Sequence, residues 1–136
     1  MNPYYNQNYT RKEVEAILLK IKNCILSGNY SISLNSNRKE NIDFINTYNI
    51  RSEKQKNILM QITIDDFCHS LQNTKSGYED ETIYVFVPQV QLTNPNGQEE
   101  IVDIYTKFNI IEVSFENKLV VISFHKKNKP IKYLFR

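Results

Sequence analysis

The sequence predicts an α+β fold, with N-terminal helices packed on an antiparallel β-sheet. Two observations predict it. Up to Leu71 the apolar residues recur at helical spacing, and from residue 81 onward they recur every second residue. Short polar turns separate the later apolar runs, which suits a meander following a block of helices. With 136 residues the chain can bury one core, and no linker divides it. The expected organisation is a flexible arm over residues 1–9 and a single domain over residues 10–136.

The elements follow in order. Thr10 opens a capping box with Glu13, ahead of Val14, Ile17, Leu18, Ile21 and Ile25, and Gly28 suits the end of that helix. YSISL at 30–34 is short and extended. Asn37 and Glu40 cap a second, shorter helix that ends before Arg51. Ile58 to Ile62 read as a short strand or extended lead-in. Thr63 caps a third helix, with Asp65 and Asp66 in its first turn and Ile64, Phe67 and Leu71 on its buried stripe. On that helix His69 lies about 200° from Phe67 and is expected to be exposed, near Asp65.

ETIYVFVPQVQL is a strand that Pro88 confines to an edge or a bulge. Asn94-Pro95-Asn96-Gly97 is a turn. EEIVDIYTKFNIIEVSF is one bent strand or two. Glu116-Asn117-Lys118 turns into KLVVISFH, and PIKYLF is expected to pair at an edge.

Composition narrows the function classes. The formal net charge is only +2, but basic residues concentrate at the C-terminus as His125, Lys126, Lys127, Lys129, Lys132 and Arg136. A carboxylate-free run of this kind suits a polyanion better than a merely solvated face. The two cysteines, Cys24 and Cys68, form no disulfide framework and no CxxC metal site. Cys68 and His69 alone do not make a zinc site. The polar start MNPYYNQNYT lacks a signal-peptide core, and no apolar run reaches membrane-spanning length. A cytoplasmic protein without membrane contact, metal or cofactor is expected.

ITIDDFCHS, GYEDETIYVFV and LVVISFHKK, in that order, resemble the MqsR toxins, small bacterial mRNA interferases of the RelE-like superfamily. The likeness covers roughly residues 11–136. It rests on Asp66-Phe67, Tyr78, Asp80 and Thr82-Ile83-Tyr84, then on ENK, LVVIS, His125-Lys126 and Tyr133. The resemblance implies a RelE-like sheet and a toxin of a type II toxin–antitoxin system. Such a toxin cleaves mRNA through attack by the RNA's own 2′-OH. It also implies a cognate antitoxin, encoded by a neighbouring gene.

The chain departs from the family at three places. His69 and His125 stand where lysines are expected, and Val85 stands where a glutamine is expected. The family's tyrosine best matches Tyr105, with Ile110 as the other alignment.

Cleavage by 2′-OH attack needs a base, an acid and cations around the phosphorane. Histidine suits the first two roles near neutrality. The candidate catalytic residues are therefore His69, Tyr105 and His125. The candidate RNA contacts are Lys126, Lys127, Lys129, Lys132, Tyr133 and Arg136. Tyr105 alternates with Asp103 and Lys107 on a polar strand face.

Plainer roles stand beside these: an exposed His69 paired with Asp65, a strand-end His125, and a Tyr133 that packs at an edge. Two other functions remain open, a non-catalytic RelE-like RNA- or protein-binding module, and an assembly role for the arm Met1–Asn8.

Overall fold

The computed structural model describes residues 4–136. Among them, three α-helices pack on one face of a six-stranded sheet, in agreement with the α+β expectation. Helix α1 (Arg11–Leu26) starts at the foreseen box: the Thr10 hydroxyl accepts from the Glu13 amide, and the Glu13 carboxylate accepts from the Thr10 amide. Gly28, with φ at +77°, turns the chain out of the helix into β1 (Tyr30–Ile32). A 3₁₀ turn capped by Asn35 leads into α2 (Lys39–Thr47).

Next comes α3 (Ser52–Met60), where the sequence suggests a strand over 58–62. Its first six residues, SEKQKN, are all polar, so only its last turn carries an apolar signal, from Ile58 and Leu59.

The largest departure follows. The Thr63 cap exists, its amide donating to the Asp66 carboxylate at 2.8 Å, but it opens only one 3₁₀ turn, Ile64–Asp66. The chain then extends as β2 (Phe67–Gln72). Phe67 to Ser70 are all buried, which no single helical stripe allows. A bulge between Phe67 and His69 sends Phe67 to the helix side and Leu71 to the other. That bulge imitates helical spacing in the sequence, and pairing with the neighbouring strand decides the outcome.

Strands β3 (Thr82–Phe86) and β4 (Gln89–Thr93) both run antiparallel to β5 (Glu99–Val113); Pro88 breaks the single strand expected there into two, and β3 is an interior strand rather than an edge. Asn94 to Gly97 form the expected turn, with Gly97 at φ +79°. β5 is one strand of 15 residues. Its turn to β6 (Glu116–Lys126) falls at Ser114-Phe115, just before the ENK expected to form it. The sheet order is β1-β6-β5-β3-β2, with β4 beside the first half of β5. The pairing of β1 with β6 is parallel, and the others are antiparallel. PIKYLF is not a strand. It crosses back, and the Leu134 amide donates to the Phe67 carbonyl.

The main core joins all three helices to the inner sheet face, around Ile21, Ile25, Phe44, Leu59, Phe67, Phe86, Phe108 and Phe124. One polar side chain fixes α2 to this frame. Asn41 is fully buried where β1 ends and the edge of β6 lacks a partner. Its Nδ2 donates to the Ser33 and Ile122 carbonyls, each at 2.9 Å, and its Oδ1 accepts from the Phe124 amide at 2.8 Å. The amide thus stands in for a peptide group of the missing strand. Replacing it strands three backbone groups, so Asn41→Ala should lower stability by about 3 kcal/mol. Urea unfolding checks this, and a loss below about 1 kcal/mol would show that the groups find other partners.

Candidate functional site on the helix-free sheet face

The outer face of the sheet carries the nominated residues His69, Tyr105 and His125. Paired residues in a ladder share a face, so the register places His69, Val85, Lys107 and Ser123 in one row across β2, β3, β5 and β6. Tyr105 and His125 form the adjacent row. Three strand spacings across the sheet and one row along it separate His69 from His125, about 16 Å between Cα atoms, and β3 and β5, the latter with Tyr105 and Lys107, lie between them.

His69 is not an exposed helical residue, as the sequence suggests. It sits on β2 and is 2 % exposed. Asp65 pairs with Arg11 instead. Tyr5 lies flat on the imidazole, with ring centroids 3.7 Å apart and planes 9° from parallel. Burial, then Lys129 and Lys107, push the His69 pKa down from 6.5 to about 4. The ring is therefore neutral at pH 7, with Tyr5, Lys107 and Lys129 as its surroundings.

A stability consequence follows. Between pH 6.5 and 4 the unfolded chain binds a proton at His69 that the folded chain refuses. The stabilisation is complete above about 6.5 and is lost as pH falls toward the folded pKa, by about 3 kcal/mol in total. Urea unfolding from pH 7 to 4 should show wild type losing this much more than His69→Phe. Parallel curves would contradict it.

Tyr105 holds the polar-face alternation expected of it, but it is 2 % exposed. It packs with Cys68, Val85 and Val87, under Ile131 and Tyr133 of the tail. Burial, then Tyr5 and Cys68, raise its phenol pKa, so it stays a proton donor. His125 stacks beside it at 5.5 Å. The His125 Nδ1 lies 2.8 Å from the Lys126 carbonyl, which only accepts, so that nitrogen carries the proton and Nε2 is left for other work. Glu40 from α2 approaches the same nitrogen at 3.6 Å.

Among the described residues, two buried side-chain polar atoms lack a hydrogen-bond partner: His69 Nε2 and Tyr105 Oη. Such an atom costs about 1–3 kcal/mol and calls for an explanation. Both belong to residues that the sequence nominates.

The basic tail needs correction. Acids from elsewhere in the fold answer several of its charges. Lys126 meets Glu100 at 3.9 Å, and Lys127 meets Asp103 at 3.4 Å. Arg136 binds Asp66 at 2.7 Å and the Asp65 carbonyl. Tyr133 donates its hydroxyl to the Val87 carbonyl and packs against the second core, so the packing role holds but not on the edge strand expected for it. Lys132 is exposed, and Lys129 places its Nζ 5.0 Å from the centre of the Tyr105 ring.

The structure adds Lys107 and Arg38. Burial, then Lys129 and Arg38, hold the Lys107 amine below its ordinary value. None of these three cations pairs with a carboxylate among the described residues. An open groove of about 420 Å³ continues from Lys107 past Leu71, Ile83 and Ile122, with Arg38 and Lys75 on its walls and no acid. Lys107 was legible in the sequence, two residues beyond Tyr105 on the same strand face. Arg38 had no such signal.

Among the described residues no group of three or more His, Cys, Asp and Glu side chains could hold a metal ion. Both cysteines are buried, and Cys68 has its pKa raised to about 12, mainly by burial. No helix among the described residues is long and apolar enough to cross a membrane. Comparison of the chain with family models, with curated proteins and with solved structures gives no match.

Proposed function

We propose that this protein is an endoribonuclease of the RelE-like, MqsR-like toxin type, with its active site on the helix-free sheet face. One observation carries the reading. The buried polar atoms left without partners belong to His69 and Tyr105, two of the three nominated catalytic residues, beside cations that no carboxylate neutralises. A phosphate would satisfy both shortages together.

In this reading Lys107 and Lys129 hold the scissile phosphate, and Tyr105 donates to a phosphoryl oxygen. His125, through Nε2, and His69 take the base and acid roles from opposite sides of β5. Both main causes of the low His69 pKa, burial and the two lysines, weaken when the site opens and an anion enters. The groove past Arg38 and Lys75 carries the flanking RNA, replacing the paired Lys126, Lys127 and Arg136 in that role. The restraining partner is a cognate antitoxin, probed by co-expression with the product of the neighbouring gene.

Val85 supports a second reading. It is fully buried between His69 and Lys107, where the resemblance expects a glutamine. A site lacking that polar group suits a module that binds RNA without cutting it.

Cleavage separates the two. Purified protein should cut a mixed-sequence RNA near pH 7, and its expression alone should arrest growth until the neighbour is co-expressed. RNA bound but left intact would favour the binding module. RNA neither bound nor cut, with growth unaffected, would remove both.

A further inference from the structure

The N-terminal segment is not the loose arm that the sequence suggests, although its first three residues lie outside the described residues. Asn6 and Ser70 exchange two backbone hydrogen bonds, at 2.8 and 2.9 Å, along the outer edge of β2. The Gln7 amide donates to the Cys68 carbonyl and to the Lys132 carbonyl of the tail. The Tyr9 hydroxyl meets the Ser70 hydroxyl at 2.6 Å. These contacts lay Tyr5 flat over His69. Just after them the capped start of α1 anchors the chain.

We propose that residues 5–9 form a strap closing a nucleobase slot, with Tyr5 holding the place in which a planar base stacks on His69. Three features support this. A parallel ring contact at 3.7 Å is the geometry of a base on an aromatic side chain. The strap, YNQNY, has no charge, so it brings no counter-charge to Lys107 and Lys129, which act on the His69 ring beneath Tyr5. And it supplies no partner for His69 Nε2 or Tyr105 Oη, although it lies against one ring and near the other. A strand of RNA brings both what the strap has, a flat ring, and what it lacks, anionic oxygens. Entry therefore peels the strap from the β2 edge. That the ligand is RNA rests on the nuclease reading; the closure itself does not.

The test uses the intact chain, a non-cleavable 2′-O-methyl RNA decamer, and the variants Tyr5→Ala, Tyr5→Phe and Asn6→Pro. With only two histidines, modification by diethylpyrocarbonate is easily assigned by peptide mass. In wild type His69 should react far more slowly than His125, and Tyr5→Ala should erase the gap. A strap that is open in about a tenth of molecules weakens binding by that factor, so Tyr5→Ala should bind the decamer about tenfold tighter. Tyr5→Phe keeps the stack and should behave as wild type. Asn6→Pro deletes the donor to Ser70 without touching the core and should follow Tyr5→Ala. Saturating decamer should speed exchange of the Ser70 amide, whose acceptor is the Asn6 carbonyl. Unchanged His69 protection in both Tyr5→Ala and Asn6→Pro, or a Ser70 amide that the decamer leaves as slow as before, would overturn the strap. Strap release in a protein that cuts no RNA would uphold it and remove the nuclease reading. Cleavage by a protein whose His69 protection ignores Tyr5 would do the reverse.

Discussion

His125→Gln should lower single-turnover RNA cleavage by about 10²–10⁴-fold, the usual contribution of a general acid or base. The imidazole is well placed for such work. The Lys126 carbonyl fixes the proton on Nδ1, and the ring stands over Tyr105 with Nε2 uncommitted. The fold should survive, because His125 lies at the end of β6 and belongs to neither core cluster. Circular dichroism and the urea midpoint are the controls. Lys127→Ala makes the contrast: its amine is answered by Asp103, so its loss should cost little, and mainly in affinity. Turnover by His125→Gln within a few-fold of wild type would move the acid–base role to His69 and Tyr105.

Lys107→Met is expected to do two opposite things. Cleavage should fall by about 10²–10³-fold, as when one preorganised donor to a developing charge is removed. Stability should rise by about 1 kcal/mol, because methionine fills the space without a half-buried cation facing Lys129 and Arg38. Opposite signs are the mark of a residue kept for function at the expense of the fold. A purely structural lysine would lose stability on replacement and leave cleavage alone. Single-turnover kinetics and urea unfolding on the same preparation read both signs.

How much of this the sequence carried depended on whether the signal was local. Caps and turns are local chemistry, so α1 with its Thr10–Glu13 box and the Asn94–Gly97 turn stood where expected. The alternation on β5 placed Tyr105 and Lys107 on a common face. β2 was misread because its bulge puts Phe67 and Leu71 on opposite faces, and only pairing with β3 reveals it as a strand. That misreading carried His69 to the surface, whereas the structure buries it under Tyr5, 64 residues earlier in the chain. The tail was misjudged for the same reason. Lys126, Lys127 and Arg136 have no acid nearby in sequence, but Glu100, Asp103 and Asp66 reach them across the fold. Lys107 and Arg38 became visible as an uncompensated pair only after those partners were assigned.

The most direct test of an RNA-cleaving site built from histidine, tyrosine and lysine is the end group it leaves. Wild-type protein is incubated with a mixed-sequence RNA in excess EDTA, and the 3′ ends of the products are identified by mass spectrometry. Attack by the 2′-OH assisted by His125 and His69 should proceed under chelation and leave 2′,3′-cyclic phosphates or the 3′-phosphates derived from them. Ends carrying 3′-hydroxyls, or cleavage that chelation abolishes, would contradict it.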